Sequence, residues 1–232
     1  SLRAALFFRP QTLDSLNLGV LGHSEGGYVA LTTADMAADY APELAIRGSV
    51  AQAPGGVPPF PAATNGLLAS TGDDGPTPRS GYITDLSMSW NATFPDLSTP
   101  ADWYTEQGAK EIPAAAELCQ GAQLDALDQS FHTYFNKSVP LSVLTIPAEQ
   151  QPLLQTSSIP ILLQQGSDDT SVVPQISRAM AIQGCALGDT VEYQEFPNDV
   201  HRSVQATART QYLGWLQARF SGEPVSDSCR GW

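Results

Sequence analysis

The stretch Leu16-Asn17-Leu18-Gly19-Val20-Leu21-Gly22-His23-Ser24-Glu25-Gly26-Gly27 decides how this chain is read. It begins as a short apolar strand and ends in a Gly-x-Ser-x-Gly turn centred on Ser24. In such a strand-turn-helix elbow the central residue is held in a strained backbone conformation. Glycines at Gly22 and Gly26 are expected where a side chain would collide with the neighbouring strand or helix. The turn would lift the Ser24 hydroxyl clear of the sheet. Tyr28 to Tyr40, with Ala30, Leu31, Ala34, Ala37 and Ala38, has the spacing and small residues of a helix buried against that sheet. A lone pentapeptide of this kind is a weak signal, and its reading as a nucleophile needs an acid and a histidine further along the chain.

The 232 residues, 42% of them hydrophobic, suit one globular domain with a real core and an insertion. A net charge of −13 and a pI near 4.4 leave no basic cluster to neutralise phosphates, which argues against nucleic acid and anionic membrane surfaces as partners. No apolar run approaches the roughly 20 residues of a membrane span, and none reads as a signal peptide, so a soluble mature protein is expected. The three cysteines, Cys119, Cys185 and Cys229, are an odd number and too far apart for a zinc ribbon or a Cys-x-x-Cys redox site. The carboxylates show no ligand spacing with a histidine, so no metal site is expected. Two sequons, Asn91-Ala-Thr and Asn136-Lys-Ser, fit a secreted eukaryotic protein but also arise by chance.

Strand and helix patterns alternate in two blocks. The first comprises a strand at Leu16 to Leu21, the helix after Ser24, and a strand at Ile46 to Ala51 ending in Gln52-Ala-Pro-Gly-Gly. The second has a buried strand from Ile159, a helix from Val173 to Cys185, a strand from Thr190 to Phe196 and a final helix from Arg202 to Phe220. Such alternation predicts an α/β fold with a mostly parallel sheet covered on both faces. Residues 1–56 and 156–232 are assigned to this core. Between them, residues 57–155 lose the strand pattern and read as a largely helical cap or lid insertion, with helices at Ile83 to Trp90 and Ile112 to Cys119 and breaks at Phe94-Pro-Asp and Ile146-Pro. Its aromatics Trp90, Phe94, Trp103, Tyr104 and Phe131 either line a tunnel for an apolar ligand or form the insertion's own small core.

The acid is sought in Gln165-Gly-Ser-Asp-Asp-Thr-Ser-Val-Val-Pro174, which leaves the carboxyl end of a strand, where parallel sheets carry their functional groups. Asp169 is preferred, with Asp168 as a turn or capping residue. His201 is the candidate base, since it follows the last strand through Pro197-Asn-Asp-Val and precedes the final helix. His23, inside the elbow and pointing away from the nucleophile face, is expected to pack or hydrogen-bond, and His132 to be a solvated residue of the insertion. In these roles His201 takes the Ser24 proton during attack on an ester carbonyl, and Asp169 holds the imidazole tautomer and stabilises the imidazolium. The backbone N–H of Glu25 is expected to donate to the oxyanion.

The elbow, the strand-end Ala-Pro-Gly-Gly, the passage Phe94-Pro-Asp-Leu with Gly108 and Glu117-Leu-Cys, Gln165-Gly-x-x-Asp169, Gln183-Gly-Cys185, Val191-Glu-Tyr and His201 together resemble the α/β-hydrolase superfamily, and within it the secretory lipase family of the lipase A type. That resemblance implies a secreted, extracellular enzyme that hydrolyses carboxylic esters, including acylglycerols, at a lipid–water interface, with no cofactor and with a lidded cap. It also implies a disulfide between Cys185 and Cys229, and a partner for Cys119 upstream of Ser1. The sequence departs from the family at its start, because Ser24 comes early and the preceding strands, with the loop of the second oxyanion donor, are missing. A partial sequence, or one chain of a cleaved protein with a separate N-terminal chain, is therefore expected. Two other readings stand beside this one. They are a peptidase or acyltransferase on the same fold, and a non-catalytic binding protein derived from a hydrolase.

Overall fold

The structure, a computed structural model, describes residues 2–56, 65–66, 68–69 and 75–231. The chain divides into two compact units, Ser1–Gly56 with Gln151–Trp232, and Val57–Gln150. The expected start of the insertion at residue 57 lies outside the described residues.

The first unit is built on four strands, β1 (Leu18–His23), β2 (Ile46–Gln52), β3 (Ile161–Gly166) and β4 (Val191–Phe196), in the spatial order β1-β2-β3-β4. Every neighbouring pair is parallel. Parallel strands cannot be joined by tight turns. Helix α2 (Glu25–Tyr40) makes the crossover from β1 to β2, and the helix Pro174–Leu187 that from β3 to β4. The latter helix ends at Gly188, whose φ of 91° is the left-handed cap that glycine adopts without steric cost. A short helix α1 (Leu2–Phe8) precedes β1. All six residues of β3 are buried, as expected of a strand covered on both faces.

Two of those buried residues are polar, Gln164 and Gln165, and Gln164 is satisfied within the sheet. Gln52, Gln164 and Gln194 occupy matching register positions on β2, β3 and β4. The Gln52 amide donates to Gln164 Oε1 at 2.9 Å, and the Gln164 amide donates to Gln194 Oε1 at 2.8 Å. A glutamine ladder thus crosses the carboxyl ends of three strands. On one face Val50 and Leu162 pack with Trp215 of the helix Arg209–Phe220, and Tyr212 and Leu216 close around them.

Two boundaries differ from the sequence reading. The final helix is two pieces, Val204–Thr207 and Arg209–Phe220, because Ala208 has ψ −2° and is fully buried beside Ala53 and Val204. Residues 151–155, assigned to the insertion from composition, belong to the sheet unit. Asp35 of α2 holds them there, its Oδ2 accepting from Leu153 N at 2.5 Å and Leu154 N at 3.2 Å. Next along the chain, Ser157 N donates to Asp189 Oδ1 at 2.7 Å. The tail is tied down by the disulfide Cys185–Cys229 and by Ser228 N donating to Val191 O of β4 at 2.8 Å. Cys119 is exposed and free.

The second unit is helical, with helices at Pro78–Thr93, Pro100–Trp103, Glu106–Ala115, Gln120–Ala126, Phe131–Tyr134 and Leu141–Gln150. Trp90, Trp103, Tyr104 and Phe131 lie in its own core with Ile112, Tyr134 and Phe135, and Phe94 packs against them. Their polar tips are satisfied locally: Trp103 Nε1 donates to Ser98 Oγ at 2.8 Å, and Tyr104 Oη pairs with Ser87 Oγ at 2.8 Å. The helix expected at Ile112 to Cys119 runs instead from Glu106 to Ala115. Its first turn is polar, invisible to apolar periodicity, and is started by Thr105, whose side chain accepts from Gly108 N. The Ile146-Pro break does not form, and the helix continues to Gln150 with Val143, Leu144 and Ile146 buried. In this unit Asn91 Oδ1 accepts from Ser98 Oγ, and Asn136 Nδ2 donates to the carbonyls of Ala101 and Asp102. Among the described residues no helix is long and apolar enough to cross a membrane.

Candidate active site

Ser24 is the residue between β1 and α2, with φ 58° and ψ −121°. A non-glycine residue at positive φ is strained and persists only where its surroundings hold it. Here Ser24 N donates to Gln52 O at 2.9 Å, and Ser24 O accepts from Gly55 N at 2.9 Å and Tyr28 N at 3.1 Å. The loop after β2 therefore clamps the elbow. The glycines divide their tasks differently from the sequence expectation. A Cβ on Gly22 would overlap the Gly26 carbonyl, whereas one on Gly26 would meet open space. The second residue without room is Gly27, whose Cβ would come within 3.0 Å of Gln52 O and Pro54 Cα. Close backbone approach, and not a side chain at Gly26, sets the requirement.

Asp169 lies in the turn after β3 with a fully buried side chain. Its Oδ1 accepts from Ser171 N and Val172 N, both at 2.9 Å. Its Oδ2 accepts from Gln165 Nε2 at 3.1 Å and from His201 Nδ1 at 2.7 Å. Burial alone would push this carboxyl up, but the His201, Val172 and Gln165 donors outweigh it and hold the pKa below the usual aspartate value. Asp168 is exposed and accepts from Ser167 Oγ, while its N–H donates to Asp199 O at 2.9 Å. With its Nδ1–H donating to the carboxylate, His201 presents Nε2 as an acceptor, 2.9 Å from Ser24 Oγ. Ser24, His201 and Asp169 thus form one hydrogen-bonded row contributed by the ends of β1, β4 and β3.

Glu25 opens α2, so its N–H has no partner within its own helix and lies at the positive end of the helix dipole. His132 belongs to the helical unit, where Nδ1 lies 3.3 Å from Phe135 O. His23 does not point away from the nucleophile, since its ring centroid is 4.6 Å from that of His201. Gln165, which grips Asp169, stands in the quoted motif Gln165-Gly-x-x-Asp169 but was given no role there. Its signal is the amide four residues before the acid.

The family model described as secretory lipase matches residues 1–228. Lipase A of Arthroderma benhamiae is 26% identical over 221 residues, covering 92% of this chain and 45% of that protein. Among solved structures, Candida antarctica lipase A in its closed state superposes with a TM-score of 0.74 at 17% identity, over 98% of this chain and 54% of that one. A hydrolase structure from Legionella pneumophila gives 0.76 at 16% identity, over 97% and 62%. The rice cell wall degrading esterase LipA of Xanthomonas oryzae, as a G231F mutant, gives 0.68 at 16% identity, over 95% and 61%. The chain spans about half the length of the lipase A relatives it matches.

Proposed function

The chain belongs to the secretory lipase family, and from that premise we propose that it carries the nucleophile, base and acid of a serine hydrolase acting on carboxylic esters, acylglycerols among them. The observation that carries the proposal is the row Ser24 Oγ, His201 Nε2 at 2.9 Å, and His201 Nδ1 with Asp169 Oδ2 at 2.7 Å. In this reading His201 accepts the Ser24 proton as Oγ attacks the ester carbonyl. Asp169 keeps the proton-accepting tautomer in place and stabilises the imidazolium. The Glu25 N–H donates to the developing oxyanion. His201 then protonates the departing alcohol, and water releases the acid from the acyl-enzyme by the same route in reverse. The chemistry needs neither metal nor organic cofactor. We read residues 57–150 as a cap-type insertion in the hydrolase core, and the Cys185–Cys229 disulfide together with the family's description as favouring an extracellular enzyme.

Labelling by a fluorophosphonate probe, with peptide mapping of the adduct, tests this reading. The expected result is a single adduct on Ser24 that disappears in Ser24→Ala and in His201→Ala, with hydrolysis of p-nitrophenyl esters lost in parallel. A folded protein that neither labels nor hydrolyses esters overturns it in favour of a binding role.

A further inference from the structure

His23 is the last residue of β1, immediately before Ser24, and both of its ring nitrogens are committed. Nε2 lies 2.7 Å from the backbone carbonyl of His201, and Nδ1 lies 3.1 Å from Gln205 Nε2 in the helix Val204–Thr207. A carbonyl only accepts, so Nε2 carries the proton and Nδ1 accepts from the glutamine amide. The ring is therefore neutral and in one tautomer.

The segment it grips lies between β4 and that helix, outside regular secondary structure. Its beginning is fastened elsewhere, with Asp168 N donating to Asp199 O at 2.9 Å and the Ser203 and Thr207 hydroxyls donating to Asp199 Oδ1. At His201 itself, the backbone carbonyl accepts from His23 Nε2. We propose that His23 is a positioning residue, a neutral donor that fixes the His201 backbone to the strand that carries Ser24, so that one strand end sets both partners of the 2.9 Å contact. The proposal rests on the reading of Ser24, His201 and Asp169 as a catalytic triad.

Neutrality is part of the role. A cationic His23 would place positive charge 4.6 Å from a ring that becomes an imidazolium during the reaction, and its Nδ1–H would face the Gln205 amide nitrogen. The charged groups that act on His23 are His201 and Arg202, which disfavour its protonation, and Asp169, which favours it. Burial is the largest influence, and the net effect keeps the pKa below the usual histidine value.

The test compares the unmodified protein with His23→Phe and His23→Gln in ester hydrolysis and in the rate of fluorophosphonate labelling. Misplacing a base by about 1 Å costs on the order of 10²-fold. His23→Phe is expected to lower kcat by about that factor with KM nearly unchanged, and His23→Gln, which keeps an N–H donor, to recover most of it. Should His23→Phe fail to fold, His23→Gln and the 15N NMR signature of the unmodified ring decide, the expected species being the neutral Nε2–H tautomer. Labelling and turnover as fast in His23→Phe as in the parent, or an Nδ1–H tautomer, overturn the positioning role alone. Absence of labelling at Ser24 in the unmodified protein overturns the triad reading on which it rests.

Discussion

Around Asp169, one side chain that touches no reacting group helps determine the acid's behaviour. Gln165 Nε2 shares Asp169 Oδ2 with His201 and also donates to the carbonyls of Gly166 and Val172, while its Oε1 accepts from Ser177 Oγ at 2.5 Å. Gln165 and Ser177 are both fully buried, so neither can exchange these partners for water. Gln165→Leu is expected to lower kcat about tenfold, the equivalent of one hydrogen bond of about 1.4 kcal/mol, and to cost about 1–3 kcal/mol of stability through the orphaned Ser177 hydroxyl. Urea titration and steady-state kinetics measure the two effects, and full activity in a stable Gln165→Leu protein would remove Gln165 from the site. Ser24, Asp169 and His201 were readable in the sequence because each occupies a loop at a strand end and they come in a fixed order. The partners that orient them were not, since contacts such as Gln205 with His23, 182 residues apart, leave no local pattern.

Strands were more legible than helices. The β-strands announced themselves by short patterned segments, Thr190 to Phe196 by alternation, and the predicted limits fall within two residues of those observed. Helices start on polar turns, so Glu106 to Glu111 escaped a reading based on apolar spacing, and a proline at Pro113 did not interrupt them. Burial of Val143, Leu144 and Ile146 likewise carried a helix past a residue pair read as a break. The glutamine ladder is the opposite case, in which polar residues sit where the strand pattern asks for apolar ones. Register explains it, because Gln52, Gln164 and Gln194 face one another on adjacent strands and satisfy each other's amides. Gln164→Leu should accordingly destabilise the protein by about 1–3 kcal/mol despite replacing a buried polar residue by an apolar one, since the Gln52 amide nitrogen and Gln194 Oε1 lose their partner. Thermal unfolding of Gln164→Leu against the combined Gln52→Leu, Gln164→Leu protein measures the coupling. Equal or higher stability of the single variant would mean that the ladder contributes nothing.

Acidic residues dominate the charge of the whole chain, which is −13 at neutral pH, yet individual carboxylates act on its stability with opposite signs. Asp35 and Asp189 are 8% and 4% exposed, and each uses one oxygen to hold the segment returning to β3 while the other, Asp35 Oδ1 or Asp189 Oδ2, has no partner among the described residues. Burial raises both pKa values above the usual aspartate value, the neighbouring Asp189 adding to the effect on Asp35 and the Leu153 and Leu154 N–H donors only partly offsetting it. The folded state therefore keeps protons that the unfolded chain releases. Stability falls as pH climbs from the unfolded toward the folded pKa and stays reduced above it. Asp169 has the reverse sign: its folded pKa is lowered, so its contribution is complete above the usual aspartate value and is lost as pH drops through the folded one. Together these groups favour acidic over alkaline conditions until Asp169 takes up its proton, with every tenfold change in proton affinity contributing about 1.4 kcal/mol. Asp35→Asn keeps an oxygen for the Leu153 and Leu154 N–H groups and removes the buried charge. Its midpoint of thermal unfolding is expected to exceed the parent's at about pH 8, and the gain to vanish at about pH 3, where both aspartates of the parent are protonated in either state. A gain of the same size at both pH values would show that Asp35 acts through packing, and that its charge does not shape the acid preference of the fold.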